Sequence, residues 1–242
     1  MIRRWANLHM NTSPEGNSKY YWQAVMAIGW GTAWSLSWIL PTISHQEEVL
    51  LLLALSGFLG GVVAGYGQTR SLPRSVGWEV VAPLVWSLSW PILVFGTGLS
   101  LKIMSHGIQA FDIDYLTDLV FGGLLGAIPG LLAGVMVALP QSILLQQVRN
   151  QPTRRAGCMG TVLTMGRIVV SWGLAAFVAT ATGLVTQYSY PFLVSHALLD
   201  VVRWSIPGGL IGGLVFAMLS LRTVDWLVDA QSPKHQSRQL QL

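Results

Sequence analysis

Charge is what this chain has least of. Of 242 residues, 14 are Lys or Arg and 10 are Asp or Glu, so charged residues make up 10%. A soluble globular domain carries about a quarter. The chain therefore lacks the means to cover a water-facing surface. That excludes a soluble enzyme, a disordered tail protein and a nucleic-acid-binding module. The net charge of +4 is no signal for nucleic acid, because it is dispersed over short loops. Cysteine is nearly absent. Cys158 stands alone, so no intrachain disulfide forms, and it reads as a small apolar filler. Also missing are a nucleophile elbow, a phosphate-binding glycine loop and a His-Glu-x-x-His zinc motif. No charge sits at the middle of an apolar run, which removes the residues expected of a proton relay or ion-coupled carrier. No cofactor is expected.

What is there is apolar. Hydrophobic residues make up 52%, and the mean hydropathy is +0.53. A membrane-spanning helix needs roughly 20 mostly apolar residues. Six windows qualify: 20–40, 49–68, 78–101, 118–145, 161–186 and 204–224. The runs lack the alternation of a membrane barrel. The fold class is thus all-α integral membrane, a six-transmembrane-helix bundle. Residues 1–19 form a polar N-terminal segment, 20–224 the membrane domain and 225–242 a polar tail. The first run ends Trp38-Ile39-Leu40-Pro41, without a small-residue cleavage site, and reads as a retained helix. Segment 190–203 is too polar to span and reads as a short interfacial helix before the sixth span.

Basic residues orient the bundle. With both termini cytoplasmic, every Lys and Arg except Lys102 and Arg203 falls inside or at that edge. That follows the positive-inside tendency. A bacterial inner or thylakoid-type membrane is the expected location.

Internal similarity sharpens the picture. The first span contains Trp34-Ser35-Leu36-Ser37-Trp38, and the third repeats those five letters as Trp86-Ser87-Leu88-Ser89-Trp90. The even spans carry small residues at steps of four. These are Gly57, Gly61 and Gly65 before Gln68, Gly130, Gly134 and Ala138 before Gln141, and Gly209, Gly213 and Ala217 before Ser220. Gly126 and Gly122 extend the second stripe. Residues four apart share a helix face, and a glycine face lets another backbone approach closely where lipid supplies no hydrophobic drive. This is the pattern of a glycine zipper. The chain thus reads as three tandem parallel helical hairpins, over 20–72, 78–145 and 161–224. The stripes ending in Gln68 and Gln141 resemble those of uncharacterised multi-pass membrane proteins common in cyanobacteria. The resemblance implies a membrane location and no particular chemistry.

Each outer loop carries a Ser-His pair, giving His45, His106 and His196. Three imidazoles and a water make a competent zinc site, but the loops differ in length and no acid keeps a constant offset. The three rings are expected to stay apart, so no metal is assigned. Trp22 and Trp78 near one edge, and Trp38, Trp90 and Trp204 near the other, fit an interfacial aromatic belt. Trp30, Trp34, Trp86 and Trp172 lie deeper, against the glycines. The leading expectation is a non-enzymatic accessory or scaffold subunit. It would sit in the lipid bilayer and pack against other membrane proteins through its Gly and Trp faces. A channel or transporter for a neutral or weakly charged solute is the alternative. An outer-face metal-dependent enzyme is the second.

Overall fold

The computed structural model describes residues 15–43, 48–71, 78–108, 115–149, 154–189 and 197–230. Apart from a single 3-10 residue at Glu48, these residues are all helical. The six helices are α1 (Glu15–Ile43), α2 (Val49–Ser71), α3 (Trp78–Ile108), α4 (Tyr115–Arg149), α5 (Arg154–Ser189) and α6 (Ala197–Ala230). At about 1.5 Å per residue, even the 23-residue α2 outreaches the roughly 30 Å hydrocarbon layer.

Five helices, α2 to α6, are long and apolar enough to cross a membrane. The chain is therefore a multi-pass integral membrane protein built entirely of helices in its described part. Only 39% to 56% of each apolar window is buried inside the bundle. The remainder presents large side chains outward, such as Leu51, Phe58, Leu88, Phe121 and Leu132. A helix apolar on all sides needs a lipid or protein surround. The first helix falls short of the same measure. Its composition explains this: Trp22, Trp30, Trp34 and Trp38 stand among Gln23, Thr32, Ser35, Ser37 and Thr42, so indoles and hydroxyls replace aliphatic carbon.

The interfacial helix expected over 190–203 gives way to a different arrangement. Residues 197–203 are the first turns of α6, which runs unbroken to Ala230. The candidate span begins at Leu198. Asp200 lies in the first turn, where a carboxylate favours the helix dipole. Leu198, Leu199, Val201 and Val202 carry the apolar face outward past the window at 204. Polar residues at a helix end do not stop the helix; they only mark where it leaves the apolar layer. Residues 190–196 lie outside the described ones.

Helices adjacent in the chain are adjacent in space, and α6 packs back on α1, so the six close into a ring. Successive helices run antiparallel. Along α1 and α2, Gly29 meets Gly60 while Val25 meets Gly67. Along α2 and α3, Gly57 meets Trp86 while Gly61 meets Ala82 and Pro83.

Glycine makes these approaches close. A Cβ added at Gly57 would stand 2.5 Å from the Trp86 carbonyl oxygen, and one at Gly130 would stand 2.9 Å from that of Trp172. One at Gly209 would stand 2.9 Å from the Gly31 carbonyl oxygen. So the same register position of α2, α4 and α6 abuts the following odd helix, with α6 meeting α1. Gly61, Gly126, Gly134 and Gly213 continue those contacts, and Gly65 and Gly122 are buried.

A second stripe escapes the step-of-four reading. Gly60 abuts Gly29 and Ala33 of α1, while its neighbour Gly61 abuts α3. Gly208 and Gly212 abut Ala179 of α5, while Gly209 and Gly213 abut α1. Successive residues are about 100° apart around a helix, near the roughly 120° between two neighbours in a ring of six. A Gly-Gly pair therefore serves two neighbours at once. Its signal in the sequence is the dipeptide itself.

Prolines sit inside continuous helices: Pro83 and Pro91 in α3, Pro129 and Pro140 in α4, Pro207 in α6 and Pro41 in α1. Two of them lie against a glycine, Pro83 at Gly61 and Pro129 at Gly96.

Candidate functional site

Tryptophan fills the centre of the ring. Trp30, Trp34, Trp86, Trp90 and Trp172 are fully buried. Trp30 stacks on Trp34 with ring centroids 5.3 Å apart. Trp86 stacks on Trp90 at 5.6 Å. These are i, i+4 pairs on single helices, which face one another. Between helices the rings meet edge to face: Trp30 with Trp90, Trp86 with Trp172 and Trp90 with Trp172. Phe216 of α6 closes the cluster against Trp30, Trp86 and Trp172. Such pairs each contribute about 0.5–1.5 kcal/mol beyond area burial.

This corrects the belt assignment. Trp22, Trp90 and Trp204 are buried within the bundle and do not face headgroups. Depth along a span says nothing about which side of the helix a ring occupies. The glycine faces are likewise taken up inside the ring, so the expectation that Gly and Trp faces meet other proteins is also corrected.

Serines in the repeated pentapeptide have a specific use. Trp90 Nε1 donates to Ser37 Oγ, which itself donates to the Ala33 carbonyl. Trp22 Nε1 donates to Ser220 Oγ at 3.1 Å, and Ser220 donates to the Ala217 carbonyl. A hydroxyl bonded back to its own helix still has a lone pair for an indole. Other buried hydroxyls also bond back along their helices, as Ser56, Ser89, Thr97 and Thr180 do.

Among the described residues, six buried polar atoms have no hydrogen-bond partner: Nε1 of Trp30, Trp34, Trp38, Trp86 and Trp172, and Oγ of Ser205. A buried donor without an acceptor costs about 1–3 kcal/mol, and edge-to-face contact with a neighbouring ring offsets only part of that. Two of the six lie close to a cavity. Trp38 lines it, and Ser205 is one turn along α6 from Val201, which also lines it.

That cavity, of about 460 Å³, opens at the end where α1 finishes and α2 begins. Trp38 and Pro41 of α1, Leu53 of α2 and Val94, Phe95 and Leu99 of α3 form its apolar walls. The buried Ser37 and the exposed Lys102 also line it. A second hollow, of about 450 Å³, lies on the outside of α5 and α6. It is lined by Val162, Leu163, Gly166, Arg167, Val170, Ser171 and Leu219. A Cβ added at Gly166 meets nothing within 4 Å, unlike the inward glycines.

The histidines expected to be candidate metal ligands fall outside this description. His45 and His196 are not among the described residues, and for His106 only the helical backbone is described. Among the described residues no group of three or more His, Cys, Asp or Glu side chains is placed to hold a metal ion. No protein-family model, curated protein or solved structure matches the chain. The likeness carried by the stripes ending in Gln68 and Gln141 therefore stands on those residues alone.

Proposed function

We propose that this chain is a six-span scaffold or accessory subunit of a membrane assembly, built from three parallel hairpins with both ends cytoplasmic. It is not an enzyme in this reading. The hollow at Gly166 carries the proposal. An outward glycine with open space above it, flanked by Val162, Leu163 and Val170, admits the backbone of another helix in lipid. Arg167 on the same wall adds guanidinium donors in a planar fork suited to a partner carboxylate.

The same reading makes α1 the sixth span. Its flanks are α2 and α6, both of which carry candidate spans. The channel alternative requires a path past Trp30, Trp34, Trp86, Trp90 and Trp172, all without exposed surface. That is why it ranks second.

Site-specific photo-crosslinking in native membranes tests the scaffold role. A photoreactive residue at Gly166 or Val170 should give one discrete protein adduct, and one at Leu51 should give lipid adducts. Lipid adducts alone from all three positions would sink the proposal.

A further inference from the structure

We infer that the tryptophan network stores one oxidising equivalent: a small free radical takes an electron from Trp38, and the hole left behind passes inward through Trp34. The inference goes beyond the scaffold reading and does not depend on it.

Connectivity comes first. Trp38 meets Trp204 with ring centroids 4.2 Å apart and Trp34 at 5.8 Å. Trp204 also meets Trp34, at 5.9 Å. Trp34 stacks on Trp30, Trp30 meets Trp90, and Trp90 meets Trp86 and Trp172. Rings in such contact overlap enough in their π orbitals for an electron to pass between them. Among the described ring contacts, Trp34 and Trp30 link the outer pair to the inner three. Of these seven rings, Trp38 alone is not buried, and it lines the cavity where α1 finishes. It is the ring that an oxidant outside the bundle can touch. Edge contact suffices for electron transfer, so nothing has to be bound in the cavity.

The chemistry balances simply. The radical gains one electron and leaves as its anion, and Trp38 becomes an indole radical cation. An electron from Trp34 then refills Trp38, and further steps carry the hole inward; no covalent bond forms or breaks. The hole stays mobile only while the proton on Nε1 stays. An indole radical cation is a strong N–H acid, and a base that takes the proton traps it as a localised neutral radical. Nε1 of Trp30, Trp34, Trp38, Trp86 and Trp172 has no partner. Trp90 Nε1 faces only a hydroxyl, Ser37 Oγ, whose hydrogen goes to Ala33, and a hydroxyl is a poor base. Donors that are unfavourable in the resting bundle thus protect the charged state from proton loss. A charge in an apolar interior is costly unless compensated. The stacked pairs Trp30–Trp34 and Trp86–Trp90 spread it over two rings. Edge-to-face contacts turn neighbouring ring faces toward it, the side a cation prefers.

Pulse radiolysis of the full chain in detergent tests this with the azide radical, a small uncharged one-electron oxidant that leaves as azide ion. Trp5, Trp78 and Trp226, whose side chains lie outside the described ones, are first replaced by Phe to give a parent. The parent should yield the indole radical cation in place of the neutral radical, with the near-infrared charge-resonance band of a hole shared by stacked rings. Trp34→Phe severs the outer pair from the rest and should abolish that band. Trp30→Phe cuts the next link and should weaken it. Trp38→Phe removes the accessible ring and should lower the radical yield severalfold. Trp22→Phe, outside the described ring contacts, should change neither signal. Near-ultraviolet circular dichroism of the remaining tryptophans identifies the folded variants. A parent that gives the neutral radical alone, a band undiminished in folded Trp34→Phe or Trp30→Phe, or an undiminished yield in folded Trp38→Phe would overturn the inference.

Discussion

Ser37 shows how much one hydroxyl does in this bundle. It receives the Trp90 indole N–H and donates to its own helix at Ala33. Ser37→Ala removes the acceptor and leaves Trp90 among the unpartnered indoles. Thermal unfolding in detergent should show a loss of about 1–3 kcal/mol. Ser56→Ala should cost less, since that hydroxyl bonds only back to Leu52; equal losses would show that the indole contact carries nothing. Glycine is the other residue with a defined load. Gly57→Leu or Gly130→Leu drives a side chain into backbone atoms of the facing helix. Overpacking costs typically about 1–3 kcal/mol, more where backbone has to move. Leu132→Ile, at a side chain 58% exposed, should be near neutral. A monodispersity profile by size exclusion separates the two, and equal behaviour at all three positions would remove glycine from the account.

At the scale of helices, much is legible in the sequence. Apolar length alone locates α2 to α5, because windows of 19 to 26 residues this apolar match the roughly 20 a membrane span needs. The steps of four at Gly57 and Gly130 announced close approach. What stayed hidden was angular. A step-of-four stripe follows one face, so it leaves out Gly60, Gly208 and Gly212, one position earlier and on the next face. The side of the helix taken by Trp90 and Trp204 is hidden for the same reason, since distance from the end of an apolar run gives depth and not direction. The continuous start of α6 is not legible, because polar residues mark equally a helix end and a helix leaving the apolar layer. His45 and His196 lie outside the described residues, and of His106 only the helical backbone is described. The first helix gives the sharpest test here. As an isolated segment in a membrane-insertion assay, residues 20–43 should insert much less efficiently than residues 49–67, because indoles and hydroxyls replace aliphatic carbon. Equal insertion would contradict that account.

The whole molecule is a ring in which the last helix meets the first. Its proposed orientation has a direct check. Cysteines at Gln46 and Gln109 should label from outside intact cells, and Cys158 only after permeabilisation; outside labelling of Cys158 would invert the bundle. The closing contact also bears on biosynthesis. During synthesis α1 emerges before the other five helices, with its weakly apolar surface, yet one of its two flanking helices, α6, comes last of the six. Until Gly209 and Gly213 seat against Gly31 and Ala27, the Trp30 and Trp34 rings lack Phe216 and Trp204. A nascent chain thus carries an unfinished seam from the emergence of α1 to that of α6. A chaperone or protease of the membrane can read that seam as immaturity, and closure of the ring erases the mark.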